Sequence, residues 1–215
     1  MATNPHPSEP RNATFLALGD SYTIGEGVSE NARWPVQLAA RLRTQGVMIG
    51  DPDIVARTGW TTEDLSAAMD EAPLHPPYAL VTLLVGVNNQ YRGRAAGEYR
   101  VQFRALLARA IALAGNDPRR VIVVSIPDWG ITPFARGEGR DPQQVASQID
   151  DFNAVAHEEA AAANARWVNI TGLSRATDVR GLLTADGLHP SEAQYARWVD
   201  SIAPAAREAL LDPSA

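Results

Sequence analysis

The chain contains no cysteine, which removes disulfides, thiolate metal sites and cysteine nucleophiles from consideration. No apolar run approaches the roughly 18 residues a bilayer crossing needs. The opening residues, MATNPHPSEPRN, hold neither a basic n-region nor an apolar h-region, so no secretory leader and a cytoplasmic location are the expectation. Nor is there a long block of like charge. With 19 basic and 25 acidic residues the net charge is -6, which offers no electrostatic reason to expect nucleic acid or an anionic membrane as partner. A Gly-x-Gly-x-x-Gly after the first strand, a P-loop and a histidine pair at ligand spacing are all missing, so no metal or other cofactor is expected.

What is present is enough apolar residue for one well-packed domain: 45% of 215 residues. A loose tail is expected over 1–12 and a single domain over 13–212. Phe15-Leu16-Ala17-Leu18 is an apolar run that predicts a first strand at 14–18, followed by a flexible loop at Gly25-Glu26-Gly27. Trp34-Pro35 opens a helix to about 45, then a strand covers 53–56 and a helix ends near 71. Leu80 to Val85 is apolar on both faces, as a central parallel strand should be. Further helices are expected at 96–114, 141–164 and 191–211, with strands at 120–126 and 166–170. Residues 128–140, with Trp129, Pro133 and Phe134, are expected to form a mobile loop over the strand ends. Strands alternating with helices predict an α/β protein: a three-layer α/β/α sandwich on a five-stranded parallel sheet of flavodoxin-like order.

In that layout the polar motifs follow strands one, two and three and precede the last helix, so they converge on one rim of the sheet. Ser21, in Gly19-Asp20-Ser21, stands at the end of the first strand. Three roles are open to it: nucleophile, phosphate ligand or helix cap. A nucleophilic serine needs a base, and the chain has four histidines. His6 is in the tail, His75 lies before a strand at the opposite end of the sheet, and His157 is inside an alanine-rich helix. His189 remains. Asp186, three residues before it, can reach Nδ1 across a tight turn and orient the ring. The alternative is a plain Asp-Gly turn before Pro190. Asn88 offers a side-chain N–H and Gly59 an uncrowded backbone N–H to a developing oxyanion, although each also suits a simple turn.

Taken together, Gly19-Asp20-Ser21, Gly59, Gly86-Val87-Asn88 and Asp186-Gly187-Leu188-His189-Pro190 resemble the ordered blocks of the SGNH hydrolases, also called GDSL esterases and lipases. The resemblance spans roughly residues 14–200. It implies a catalytic triad of Ser21, His189 and Asp186, with an oxyanion hole from the Ser21 N–H, Gly59 and Asn88. Tyr22 replaces the leucine common after the serine, and Asn89 replaces the usual aspartate after Asn88. Gly-x-Ser-x-Gly, the signature of the α/β-hydrolases, is not met at Ser21. Asp20, Tyr22, Trp60, Asn89, Trp129 and Phe134 are the candidate substrate-binding residues.

The implied activity is cleavage of a small or short-acyl carboxylic ester, or a thioester, through an acyl-enzyme at Ser21. Transfer of the same acyl group to an alcohol is one alternative. A carbohydrate- or ligand-binding protein that has lost catalysis on this fold is another.

Overall fold

Five short runs become five strands, and the three central ones are buried because helices cover both faces of the sheet. The computed structural model describes residues 12–175 and 181–211. Residues 1–11 of the expected tail lie outside the described residues. In chain order the elements are β1 Phe15–Gly19, α1 Ser21–Ile24, α2 Trp34–Thr44, β2 Asp53–Ala56, α3 Thr62–Glu71, β3 Leu80–Leu84 and α4 Val87–Tyr91. They continue with α5 Ala96–Leu113, β4 Val121–Val124, α6 Pro133–Gly137, α7 Pro142–Ala162, β5 Arg166–Val168, α8 Thr171–Ser174 and α9 Glu192–Leu211.

The sheet order is β2-β1-β3-β4-β5 with every pair parallel, which is the flavodoxin-like order expected. Ala17 sits opposite Ile54 on one side and Thr82 on the other, fixing the register of the sheet centre. β1, β3 and β4 are buried at every position. The edge strands β2 and β5 are only partly covered, as outer strands with one neighbour must be. The chain leaves β1 toward α2 and leaves β3 toward α5. The order therefore reverses between β1 and β3, and their carboxyl ends open the crevice where such sheets bind ligands.

Helix signals in the sequence act locally as expected. Pro35 lies in the first turn of α2, where its missing N–H costs nothing. Thr61 and Asp64 form a reciprocal capping box at α3, with Asp64 Oδ2 accepting from the Thr61 N–H at 2.9 Å. Asp141 caps α7 by accepting from the Gln143 N–H at 2.9 Å. One layer is made by α2 packed on α9, the other by α3, α5 and α7. Trp34 and Leu38 of α2, with Tyr195, Trp198 and Ile202 of α9, are fully buried. Such burial contributes about 1.5–3 kcal/mol per side chain.

Two regions depart from expectation. β4 stops at Val124 and β5 at Val168, because Ser125 turns its hydroxyl into an acceptor for the Ile170 and Thr171 N–H groups at 2.8 and 3.1 Å. That side-chain bond ends the ladder and starts α8. Residues 128–140 lie over the strand ends but are not a loose loop. Asp128 is buried, accepts from the Gly130 N–H at 2.7 Å and pairs with Arg175 at 2.8 Å. Thr132 then caps α6 through Ala135. A segment with this many internal partners is anchored.

Candidate active site

The turn after β1 exists because Asp20, not Ser21, caps the helix that follows. Asp20 Oδ1 accepts from the Tyr22 N–H at 3.0 Å, so the serine hydroxyl is left out of the capping. As the first residue of α1, Ser21 also has a backbone N–H with no acceptor within its helix. Asp20 itself is wholly buried. Burial pushes its carboxyl from 3.8 up to about 7, against the pull of N–H groups of Tyr22, Gly86 and its own residue.

The third-strand motif is built the same way. Gly86 carries φ 134, and a Cβ there would fall 2.7 Å from the Tyr99 ring, so only glycine lets β3 turn into α4. Asn88, the second residue of α4, donates from Nδ2 to the Trp60 carbonyl at 2.9 Å. One N–H of that amide thus orients the group and the second remains to be offered. Gly59 carries φ 85, and its carbonyl accepts from Arg92 at 2.7 Å. Asn89 turns away from Asn88 and is fully buried. It accepts from the Thr62 N–H at 3.1 Å and donates to the Thr62 hydroxyl at 2.7 Å, tying α4 to the start of α3.

Near the end of the chain, a single antiparallel bridge between Leu183 and Pro190 closes a tight loop around Asp186. Asp186 Oδ1 accepts from the N–H groups of Leu188 and His189 at 2.8 and 3.0 Å and from the Thr184 hydroxyl at 2.7 Å. Its Oδ2 meets His189 Nδ1 at 2.6 Å. Partial burial works to raise the Asp186 carboxyl, but the bonds from His189, Thr184 and the two backbone N–H groups prevail and hold it at about 2. A charged carboxylate on Nδ1 fixes that proton and points Nε2 outward.

These pieces share one cleft of about 190 Å³. Ser21, Gly59, Asn88 and His189 line it together with Tyr22, Trp129 and Phe134. The convergence expected from topology is therefore observed. His75 lies before β3, at the far end of the sheet, and the His157 ring packs 5.2 Å from Trp167. His6 lies outside the described residues. Trp129 is set as a wall by a relay: its indole N–H donates to Gln90 at 2.8 Å, and Gln90 donates to Gln148 of α7 at 2.7 Å.

Three candidate binding residues do not line the cleft. Asp20 lies beneath it as the cap, Asn89 faces α3, and the Trp60 side chain packs against the core while its carbonyl holds Asn88. Sequence reasoning missed Thr58, Val87, Tyr91 and Leu188, which do line it. Tyr91 was within reach of helical spacing, three residues after Asn88 on one face. Its ring lies 5.4 Å from Trp129, with the Arg140 guanidinium 5.1 Å above it. Among the described residues no group of three or more His, Asp or Glu side chains could hold a metal, and no helix is long and apolar enough to cross a membrane.

A parallel five-stranded sheet with a serine hydroxyl and a carboxylate-held imidazole in one crevice is the setting of an acyl hydrolase. The chain belongs to the GDSL-like lipase/acylhydrolase family, which matches residues 17–197, and it is a carboxylic ester hydrolase. It is 24% identical over 202 residues to Esterase TesA of Pseudomonas aeruginosa, covering 92% of this chain and 89% of that protein. A crystal structure of TesA matches it with a TM-score of 0.72 and 22% identity, over 92% of this chain and 99% of that one. The lipase/acylhydrolase from Enterococcus faecalis matches with a TM-score of 0.70 and 22% identity, over 91% and 95%. AlinE4, an SGNH-hydrolase family esterase, gives 0.61 and 22%, over 94% and 99%.

Proposed function

We propose that the cleft hydrolyses small carboxylic esters through an acyl-enzyme on Ser21. The observation that carries this is the single cleft lined by Ser21, His189, Asn88 and Gly59, with His189 held by Asp186 at 2.6 Å. Ser21 Oγ attacks the ester carbonyl carbon while His189 Nε2 takes its proton. Negative charge gathers on the carbonyl oxygen, where the Ser21 N–H, the Gly59 N–H and the second Asn88 N–H can meet it. As the intermediate collapses, the bond to the leaving oxygen breaks and His189 returns the proton to the departing alcohol. Water then attacks the acyl-enzyme, gives its proton to His189, and the serine leaves with that proton as the acid is released.

A cleft of about 190 Å³ walled by Tyr91, Trp129 and Phe134 supports a compact, apolar acyl or aryl group as its occupant. The test is Ser21→Ala. The variant should lose hydrolysis of 4-nitrophenyl butanoate by a factor on the order of 10⁴ or more, and labelling by a fluorophosphonate probe should vanish with it. A folded Ser21→Ala protein with wild-type turnover sinks the proposal.

A further inference from the structure

Beside the cleft lies a second and smaller cavity, of about 20 Å³, room for about one water. Most of its walls are apolar, with Leu173, Leu182, Leu183 and Trp198 among them, and Asp128 and Gln194 line the remainder with two hydroxyl side chains. Tyr22 and Leu188 line both this cavity and the cleft, so these two side chains form the partition between them. Tyr22 is the residue next to Ser21. Its ring is 3% exposed, meets the His189 ring edge-on at 5.8 Å and lies 6.0 Å from Trp198. Held between those two rings, it cannot swing aside without unpacking one of them.

We propose that Tyr22, with Leu188, is the specificity-determining wall of the acyl subsite, stopping the alkyl chain of the acyl group before it reaches the apolar cavity behind. This rests on the ester-hydrolase reading above. The acyl carbonyl must sit at Ser21 Oγ to be attacked, and the chain bonded to it remains beside Tyr22 throughout the acyl-enzyme. A short chain ends in front of the ring. A longer one needs the volume the ring occupies, and the space it would enter next is lined mostly by leucine, proline and tryptophan side chains. Trimming the ring joins the two spaces.

The experiment is a chain-length series. 4-Nitrophenyl esters from ethanoate to decanoate are compared on wild type, Tyr22→Phe, Tyr22→Leu and Leu188→Ala, reading kcat/KM for each chain relative to butanoate. Relative values cancel any general effect of disturbing the ring beside His189. Wild type and Tyr22→Phe should share one optimum at short chains, because phenylalanine keeps the wall. Each added methylene buried in the joined space should bring roughly fourfold. Tyr22→Leu should therefore raise the octanoate-to-butanoate ratio by about tenfold or more. Leu188→Ala, which opens the partition from its other side, should move the ratio the same way.

Binding of butanoate through decanoate by the same variants in a Ser21→Ala background, read by calorimetry, gives the ranking without turnover. If wild type hydrolyses none of the esters, the functional reading falls, while this binding series still decides the partition. Folded Tyr22→Leu and Leu188→Ala proteins that both keep the wild-type ranking overturn the inference. So does a shift that follows the length of the alcohol instead of the acyl chain, measured with alkyl butanoates.

Discussion

Replacing Asp20 by asparagine separates two things the residue does, capping α1 and carrying a buried titratable group. Asparagine caps about as well as aspartate, so the Tyr22 N–H keeps its acceptor and α1 should survive. What disappears is the titration. Asp20 is fully buried and its Oδ2 finds no hydrogen-bond partner among the described residues. Burial lifts the carboxyl from 3.8 to about 7. The folded protein therefore holds a proton that the unfolded chain releases between about pH 4 and pH 7. The sign follows: this group favours the fold fully below the unfolded value, and that contribution is lost as pH rises through the folded one.

At 1.36 kcal/mol per unit, the swing is up to about 4 kcal/mol, of which about 3 kcal/mol falls between pH 5 and pH 8. Urea unfolding of both proteins across that range isolates it, because every other titrating group is common to the pair and cancels in the difference. Relative to wild type, Asp20→Asn should gain stability steadily up to pH 7 and then level off. Two stability curves that stay parallel from pH 5 to pH 8 would refute the argument, since Asp20 would then titrate alike in both states.

The remaining predictions concern the cleft. Asp186→Asn leaves the loop bonds from Leu188 and His189 an acceptor but removes the charge on Nδ1, and kcat should fall by roughly 10³–10⁴. An unchanged kcat in single-turnover acylation would remove Asp186 from the mechanism. Asn88→Ala deletes one donor to the oxyanion and should lower kcat by roughly 10²–10³ with KM little altered. A change confined to KM would mean that Asn88 holds the ground-state substrate instead.

The sheet was legible because Phe15 to Leu18, Leu80 to Leu84 and Val121 to Val124 are apolar on both faces, a pattern that central parallel strands require. Long helices announced themselves by capping residues and spacing. The short ones did not. α4, α6 and α8 have four or five residues each, too few for any period to register. That is why the sequence places Asn89 among the substrate-binding candidates. In a loop two neighbours can share a cleft, whereas one step along a helix turns the second side chain toward α3. The aromatic candidates divided on the same kind of detail: Trp129 is fixed in the wall by Gln90 and Gln148 from two other helices, partners no local pattern reveals. Asp186 and His189 were legible because their bond closes over three residues.

Ser21 belongs to the first strand-to-helix turn, whereas the His189 imidazole that shares its cleft arrives just ahead of α9, which docks on α2. A growing polypeptide emerging from the ribosome would thus carry Ser21 long before His189 exists. On the proposed mechanism chemistry awaits closure of the long loop between them, so a truncated or half-made product should be inert toward esters. Catalytic competence and completion of the fold become one event, and recovery of turnover after dilution from denaturant would time that last docking step directly.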